Sequence, residues 1–402
     1  MIAMNVHLRR SLAAALCAAL FVTLRPAYAE AANDVELNVL LPLTGPAAFL
    51  GKEVATSLGL IKEIVNKGGG IKGRPITFAI ADDQSSPQVT VQLTNQLIAK
   101  KVNVILGPSF TQTCAATAAL VAADGPLNYC YSPGIIPAPG SYVFSANAAP
   151  NDLGAVVIRY FRERGWTHIA VITSTDATGQ VLDKAFASAM ALPENKNVEI
   201  VAQEHFNATD VSVSAQMARI KSLKPQALIA WTTGTAFGTL LHGINDAGLD
   251  IPIAGGNGNM SQLQLSGYQS FAPKQLYFPG VAVITGGTSQ PGPTRDAQQV
   301  FASAMKAAGL RPDFSSQSPW DATMIVIDAL RHLGPDASAA SLRDYIENLH
   351  GWHGLYGEYD FRTKDQRGIG PNAIVIDRWD AAKSEFIAAS LPGGQPLGRK
   401  RL

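Results

Sequence analysis

Apolar residues recur at helical spacing along EVATSLGLIKEIVNK (53–67), where Val54, Leu58, Ile61 and Val65 share one face. Downstream, RPITFAIADD (74–83) alternates, with Ile76, Phe78 and Ile80 on one side of a strand. This change of period continues along the chain. LNVLLPL (37–43) and VNVILG (102–107) read as buried strands. Ser86-Pro87 opens a helix through 99, and TQTCAATAALVAADG (111–125) reads as a helix closed by glycine. From 152 the series repeats with helix DLGAVVIRYFRERG, strand HIAVITS, a helix to about 190 and a strand near 198–203. Helix 211–222, strand 226–231, helix 235–247 and strand 251–256 follow. The pattern predicts an α/β protein with largely parallel sheets.

Between the first helix and its strand lies NKGGGIKG (66–73), whose glycines at 68, 70 and 73 satisfy G-x-G-x-x-G. That pattern holds a pyrophosphate only where a strand enters the loop and a helix leaves it. Here the order is reversed, so the glycines are read as a helix stop turning into a strand. A dinucleotide enzyme is thereby disfavoured. No G-x-S-x-G, H-E-x-x-H or C-x-x-C occurs, and His350 and His353 sit among glycines, which reads as two surface histidines rather than a metal pair. We expect no enzyme, no cofactor and no metal.

The first 29 residues read as a cleaved secretory signal. Arg9 and Arg10 precede the apolar run 11–24, and Ala27-Tyr28-Ala29 offers a small-x-small cleavage site. The run is too short to span a bilayer. Export would place the protein in the periplasm. Removing this segment takes away Arg9, Arg10 and Arg25 and no acid, moving the formal charge from +1 to −2. Such a balance gives no electrostatic reason to bind nucleic acid. The chain of 402 residues exceeds one compact core, which predicts two lobes. Cys114 falls in the first turn of a helix and Cys130 at the end of the next strand, at one edge of a parallel sheet. A disulfide between them is compatible with that placement and with an oxidising compartment; bonded and free states both stay open.

Lobe changes are expected at FSANAAPND (144–152) and LYFPGVAVITGGTSQPGP (276–293), with helices near 294–308, 317–333 and 339–349 between the second change and a strand series from 353. PLTGPAAFLG (42–51), GGGIKGRPITFAIADDQSSP (68–87), ILGPSFTQTCAA (105–116), AVITSTDATGQ (170–180), GINDAGLDIPIAGGNG (243–258) and SPWDATMIVIDAL (318–330) follow one another in an order that resembles the leucine/isoleucine/valine-type periplasmic substrate-binding proteins of ABC transporters. The resemblance implies two Rossmann-like lobes joined by a three-strand hinge, the type I periplasmic binding protein fold. Residues 30–147 plus 280–352 would form the N-terminal lobe, and 148–279 plus 353–392 the C-terminal lobe. A flexible tail is expected over 393–402. The implied partners are a small solute and an ABC permease in the inner membrane, and we expect a monomer.

The resemblance also implies a site. A ligand carboxylate would meet GPSFTQT (107–113), where Ser109, Phe110 and Thr111 precede or open a helix whose free N–H groups suit an anion. A plainer role for Ser109 or Thr111 is to cap that helix. Gly134 and Ile136 lie in the second carboxylate loop, Ile136 standing where amino-acid binders often carry a threonine. Leu50 follows the first strand, and Thr178, Thr235 and Asn257 would close the site from the second lobe. Asn257 stands where amino-acid binders place a carboxylate for the ligand ammonium. An enclosed ammonium without counter-charge costs several kcal/mol, comparable to most of a micromolar binding energy of roughly −8 kcal/mol. Asp176 is the candidate replacement, against the plainer reading of a solvated loop acid. The loss of that partner points to an acid without an α-amino group. The stretches SPGIIPAPGSYVFS and RYFRERGWTHIAVITSTDATGQ resemble members linked to aromatic carboxylates such as benzoate, coumarate or phenylpyruvate types. Binding of branched-chain or other hydrophobic amino acids is the alternative, and a ligand-sensing receptor module a second one.

Overall fold

The computed structural model describes residues 34–398 apart from 288, 289 and 364. The expected signal segment lies outside the described residues. Fourteen strands run in chain order: β1 Val35–Leu41, β2 Ile76–Asp82, β3 Val104–Leu106, β4 Leu127–Cys130, β5 Val143–Ser145, β6 His168–Ser174, β7 Glu199–Phe206, β8 Ala227–Trp231, β9 Ile253–Gly255, β10 Leu276–Gly280, β11 His350–His353, β12 Glu358–Asp360, β13 Val375–Asp380 and β14 Glu385–Ala388.

They form two large sheets. The first is wholly parallel, in the order β2-β1-β3-β4-β5. The second has the order β14-β13-β10-β9-β8-β6-β7, parallel from β10 to β7, with β13 antiparallel to both its neighbours. Burial on both faces explains the continuous apolar runs: β3, β4 and β8 are buried at every position. The chain passes from the first sheet to the second after β5, back after β10, and across again between Phe361 and β13.

The glycine-rich turn behaves as its flanks require. The Ala48–Lys67 helix ends at Gly68, and Gly70 and Gly73 take φ values of 64° and 84° before β2 begins. Ser86 caps its helix as expected, its hydroxyl accepting from the N–H of Val89, with Pro87 in the first turn. The helix expected over 317–333 is instead two pieces, Phe314–Gln317 and Trp320–Leu333, separated at Ser318-Pro319. Its first piece opens on an Asp313 capping box.

Two expected boundaries need correction. The strands near 353–361 do not begin a series in the second lobe: β11 and β12 form a hairpin on the first-lobe side. The buried Asp321 carboxylate of the Trp320–Leu333 helix accepts from the N–H groups of Leu355 and Tyr356 and from the Tyr359 hydroxyl, and Phe361 packs edge-on against Phe144 of β5. Burial pushes the Asp321 carboxyl up to about 6, against which these donors work. Nor is 393–398 a tail. Gly393 donates to the Ile374 carbonyl and Leu397 to that of Ala389.

The sulfurs of Cys114 and Cys130 meet at bonding distance with their Cα atoms 5.9 Å apart.

Candidate functional site

Both sheets present the carboxyl ends of their strands to a common cleft. In the first, the strand order reverses between β1 and β3; in the second, between β6 and β8. Loops leaving such points diverge and leave room for a ligand. A cavity lies there, lined from both lobes, at the kind of switch point where small-molecule sites form.

The first lobe supplies Leu50 from the helix after β1, Ser109 and Thr111 after β3, and Ser132, Pro133 and Gly134 after β4. The second supplies Thr178 after β6, Trp231 and Thr233 at the end of β8, and Asn257 and Gly258 after β9. Pro150, Leu153, Leu182 and Phe314 complete an apolar lining. None of these side chains carries a charge.

The polar groups are set for a ligand. Thr111 is the first residue of its helix, where backbone N–H groups lack intrahelical acceptors. Its hydroxyl lies 2.9 Å from that of Ser132, which also accepts the N–H of Gly134 at 3.1 Å. Glycine is required at 134 because a Cβ there would run into the Thr111 side chain. Across the cleft, Asn257 Oδ1 accepts from the N–H of Gly258 at 3.1 Å, so the group it can offer a ligand is the donating Nδ2. The hydroxyls of Ser109 and Thr178, each only 4% exposed, have no partner among the described residues. Two buried, unpaired hydroxyls facing one cavity from opposite lobes call for an occupant.

Of the expected site residues, Leu50, Ser109, Thr111, Gly134, Thr178 and Asn257 line the cavity. Phe110, Ile136, Thr235 and Asp176 do not. Phe110 is buried beside the cavity as the residue preceding its helix. Ile136 is 71% exposed and faces away. Thr235 is an exposed helix-start residue, while Thr233, two positions earlier, reaches the lining. Asp176 is fully engaged: it accepts from the N–H groups of Thr178 and Gly179, from the Ser174 hydroxyl and from Gln112 Nε2. It caps the Ala177–Met190 helix and does not face a ligand ammonium. Asp152 lies in the first turn of the Pro150–Glu163 helix, whose cap is Ala149. Pro150 opens the helix that follows β5 on the first passage between the sheets, and Phe314 lies in the helix series after β10; the sequence reading named neither as lining.

Two lobes closing on a small neutral-walled cavity define a solute-binding protein. A family profile described as periplasmic binding protein matches residues 34–382, and the chain belongs to that family, whose members bind solutes rather than catalyse reactions. A relative in Brucella melitensis, named Leu/Ile/Val-binding protein homolog 3, is 26% identical over 366 residues, covering 89% of this chain and 94% of the relative. Among solved structures, a branched-chain amino acid transporter substrate-binding protein from Streptococcus pneumoniae, in complex with isoleucine, matches with TM-score 0.73 at 18% identity, over 88% of this chain and 98% of that one. An ABC transporter solute-binding protein from Rhodopseudomonas palustris, in complex with benzoate, matches with TM-score 0.71 at 19% identity, over 92% and 99%. These two likenesses establish the type I periplasmic binding protein fold. Among the described residues, no helix is long and apolar enough to cross a membrane.

Proposed function

We propose that this protein is the exported solute-binding component of an ABC importer and that it binds a small aromatic carboxylate by closure of its lobes. In this reading the signal segment is removed on export, Cys114 and Cys130 are bonded, and the liganded monomer is what an inner-membrane permease recognises. One observation carries the ligand class. The cavity offers hydroxyls, a helix N-terminus and the Asn257 amide donor, and no carboxylate lines it. Such a set suits an acceptor-rich acid. An ammonium would be enclosed without counter-charge. Trp231, Phe314, Pro133 and the leucines supply a wall suited to a ring.

The second reading is a branched-chain amino acid. The name of the Brucella relative and the isoleucine in the pneumococcal structure favour it. A thermal-shift panel on ligand-stripped protein separates the two: benzoate, coumarate and phenylpyruvate against leucine, isoleucine, valine and phenylalanine. A ligand at 100 times its Kd stabilises by about 2.7 kcal/mol, a visible shift. The acids should stabilise and the amino acids should not.

A further inference from the structure

The cavity wall is uncharged, yet a fully buried guanidinium stands directly behind it. Arg367 lies on the third passage between the sheets. It donates to the Pro133 carbonyl at 2.9 Å, to that of Ile135, and to those of Asn147 and Ala146 at 3.2 and 3.4 Å on the first passage. Lying on one hinge passage itself, it therefore ties the ligand loop 132–135 to two passages at once. Burial lowers its pKa only to about 10, so it stays charged at neutral pH. Asp365 and Asp152 are near enough to act on it electrostatically, but neither forms an ion pair with it.

The contact with Pro133 has a direction. In a trans peptide the C=O of Pro133 and the N–H of Gly134 point to opposite sides. The guanidinium holds the carbonyl, and the N–H points the other way, to Ser132 Oγ at 3.1 Å. Ser132 Oγ, already accepting, can give its own proton to Thr111 Oγ1 at 2.9 Å. The Thr111 proton is then left for the cavity. Each donor in such a chain strengthens the next.

We infer that Arg367 is a positioning residue that sets the polarity of this chain, so that Thr111 presents a hydrogen-bond donor and the cleft selects an anionic oxygen over a neutral isostere. The inference rests on the carboxylate reading of the cleft and explains how a site without a charged side chain discriminates charge.

The test compares benzoate with benzamide by calorimetry in wild type, R367M, R367K and S132A. Wild type should prefer benzoate. R367M should weaken benzoate at least tenfold while changing benzamide less than threefold, and R367K should recover part of the loss. If R367M does not fold, S132A breaks the same chain beside the cavity and should reduce the same ratio. A purely structural strut would weaken both ligands by one factor, and that result overturns the inference. If wild type binds neither acid nor amide, the carboxylate reading fails, and the amide proton resonance of Gly134 decides the relay. It should lie downfield in wild type and move upfield in R367K or R367M; an unmoved resonance overturns the relay.

Discussion

Gln112 and Asp176 join the two lobes across the mouth of the cleft, the Gln112 side-chain amide donating to Asp176 Oδ2 at 2.7 Å. Gln112 lies one residue beyond the cavity-lining Thr111, and Asp176 caps the helix that carries Thr178. The bond can form only when the lobes are together, so its free energy belongs to the closed state.

Removing it should loosen closure without harming either lobe. A hydrogen bond to a charged group contributes roughly 1.5–3 kcal/mol when buried, and less at a partly exposed rim such as this. Q112A should therefore weaken ligand binding about 3- to 10-fold, mainly through faster dissociation, and leave the melting temperature of ligand-free protein nearly unchanged. Stopped-flow dissociation and small-angle scattering with saturating ligand measure both effects. Unchanged dissociation would mean the contact is incidental to closure.

Asn257 should set the class of ligand. Replacing it by aspartate puts a negative charge against the bound acid and supplies an ammonium partner. N257D should lose aromatic-acid affinity at least tenfold, about 1.4 kcal/mol or more, and gain a thermal response to phenylalanine or leucine. Retained acid binding in N257D would place the ligand elsewhere in the cleft.

Gly134 is constrained by contact. G134A drives a methyl group into Thr111, and overpacking of this kind costs about 1–3 kcal/mol. Because Thr111 and Ser132 must shift to make room, affinity should fall more than tenfold while the fold persists. Circular dichroism and calorimetry on one preparation test this.

A pH dependence follows from Glu53 and Asp313. On the first-lobe side, Glu53 accepts from the N–H of Leu263, and Asp313 from the N–H groups of Gln262 and Ser316, so both carboxyls reach the second lobe at successive residues. Ser261 and Ser315 also face Glu53, and neither acid forms a salt bridge with a described residue. Burial, then the neighbouring Asp313, raises Glu53 from 4.5 to about 8, and burial also raises Asp313. The unfolded chain loses this proton above 4.5, whereas the folded protein keeps it to about 8. The contribution to stability is thus fully present below 4.5 and is lost as pH rises toward 8. Wild type should lose roughly 2 °C or more relative to E53Q between about pH 5 and pH 8, since Gln reproduces the protonated form. Parallel melting curves would contradict the pairing.

Much of this was legible in the sequence. The period changes located the strands, and the reversed flanks of the glycine motif excluded a phosphate loop. The family resemblance gave Ser109, Thr111, Thr178 and Asn257 as site residues, and all four line the cavity. What failed shares a physical cause: sequence places a residue on a loop but does not aim its side chain. Ile136 and Pro133 share one loop, yet only Pro133 faces the cavity. In sequence Asp176 reads as a ligand partner or a solvated loop acid, and its four donors make it neither: it is a helix cap. Phe314 and Arg367 reach the site from more than 200 residues beyond Thr111 through helix packing and a hinge passage, which no local pattern records.

The most direct test of the account takes whichever aromatic acid stabilises the protein most and titrates it calorimetrically beside its α-amino counterpart, phenylpyruvate against phenylalanine being the matched pair. A cavity that donates hydrogen bonds and holds no carboxylate predicts at least a 100-fold preference for the acid. Equal or tighter binding of the amino acid would contradict it, because an ammonium would then have a partner in a cleft whose described lining contains none.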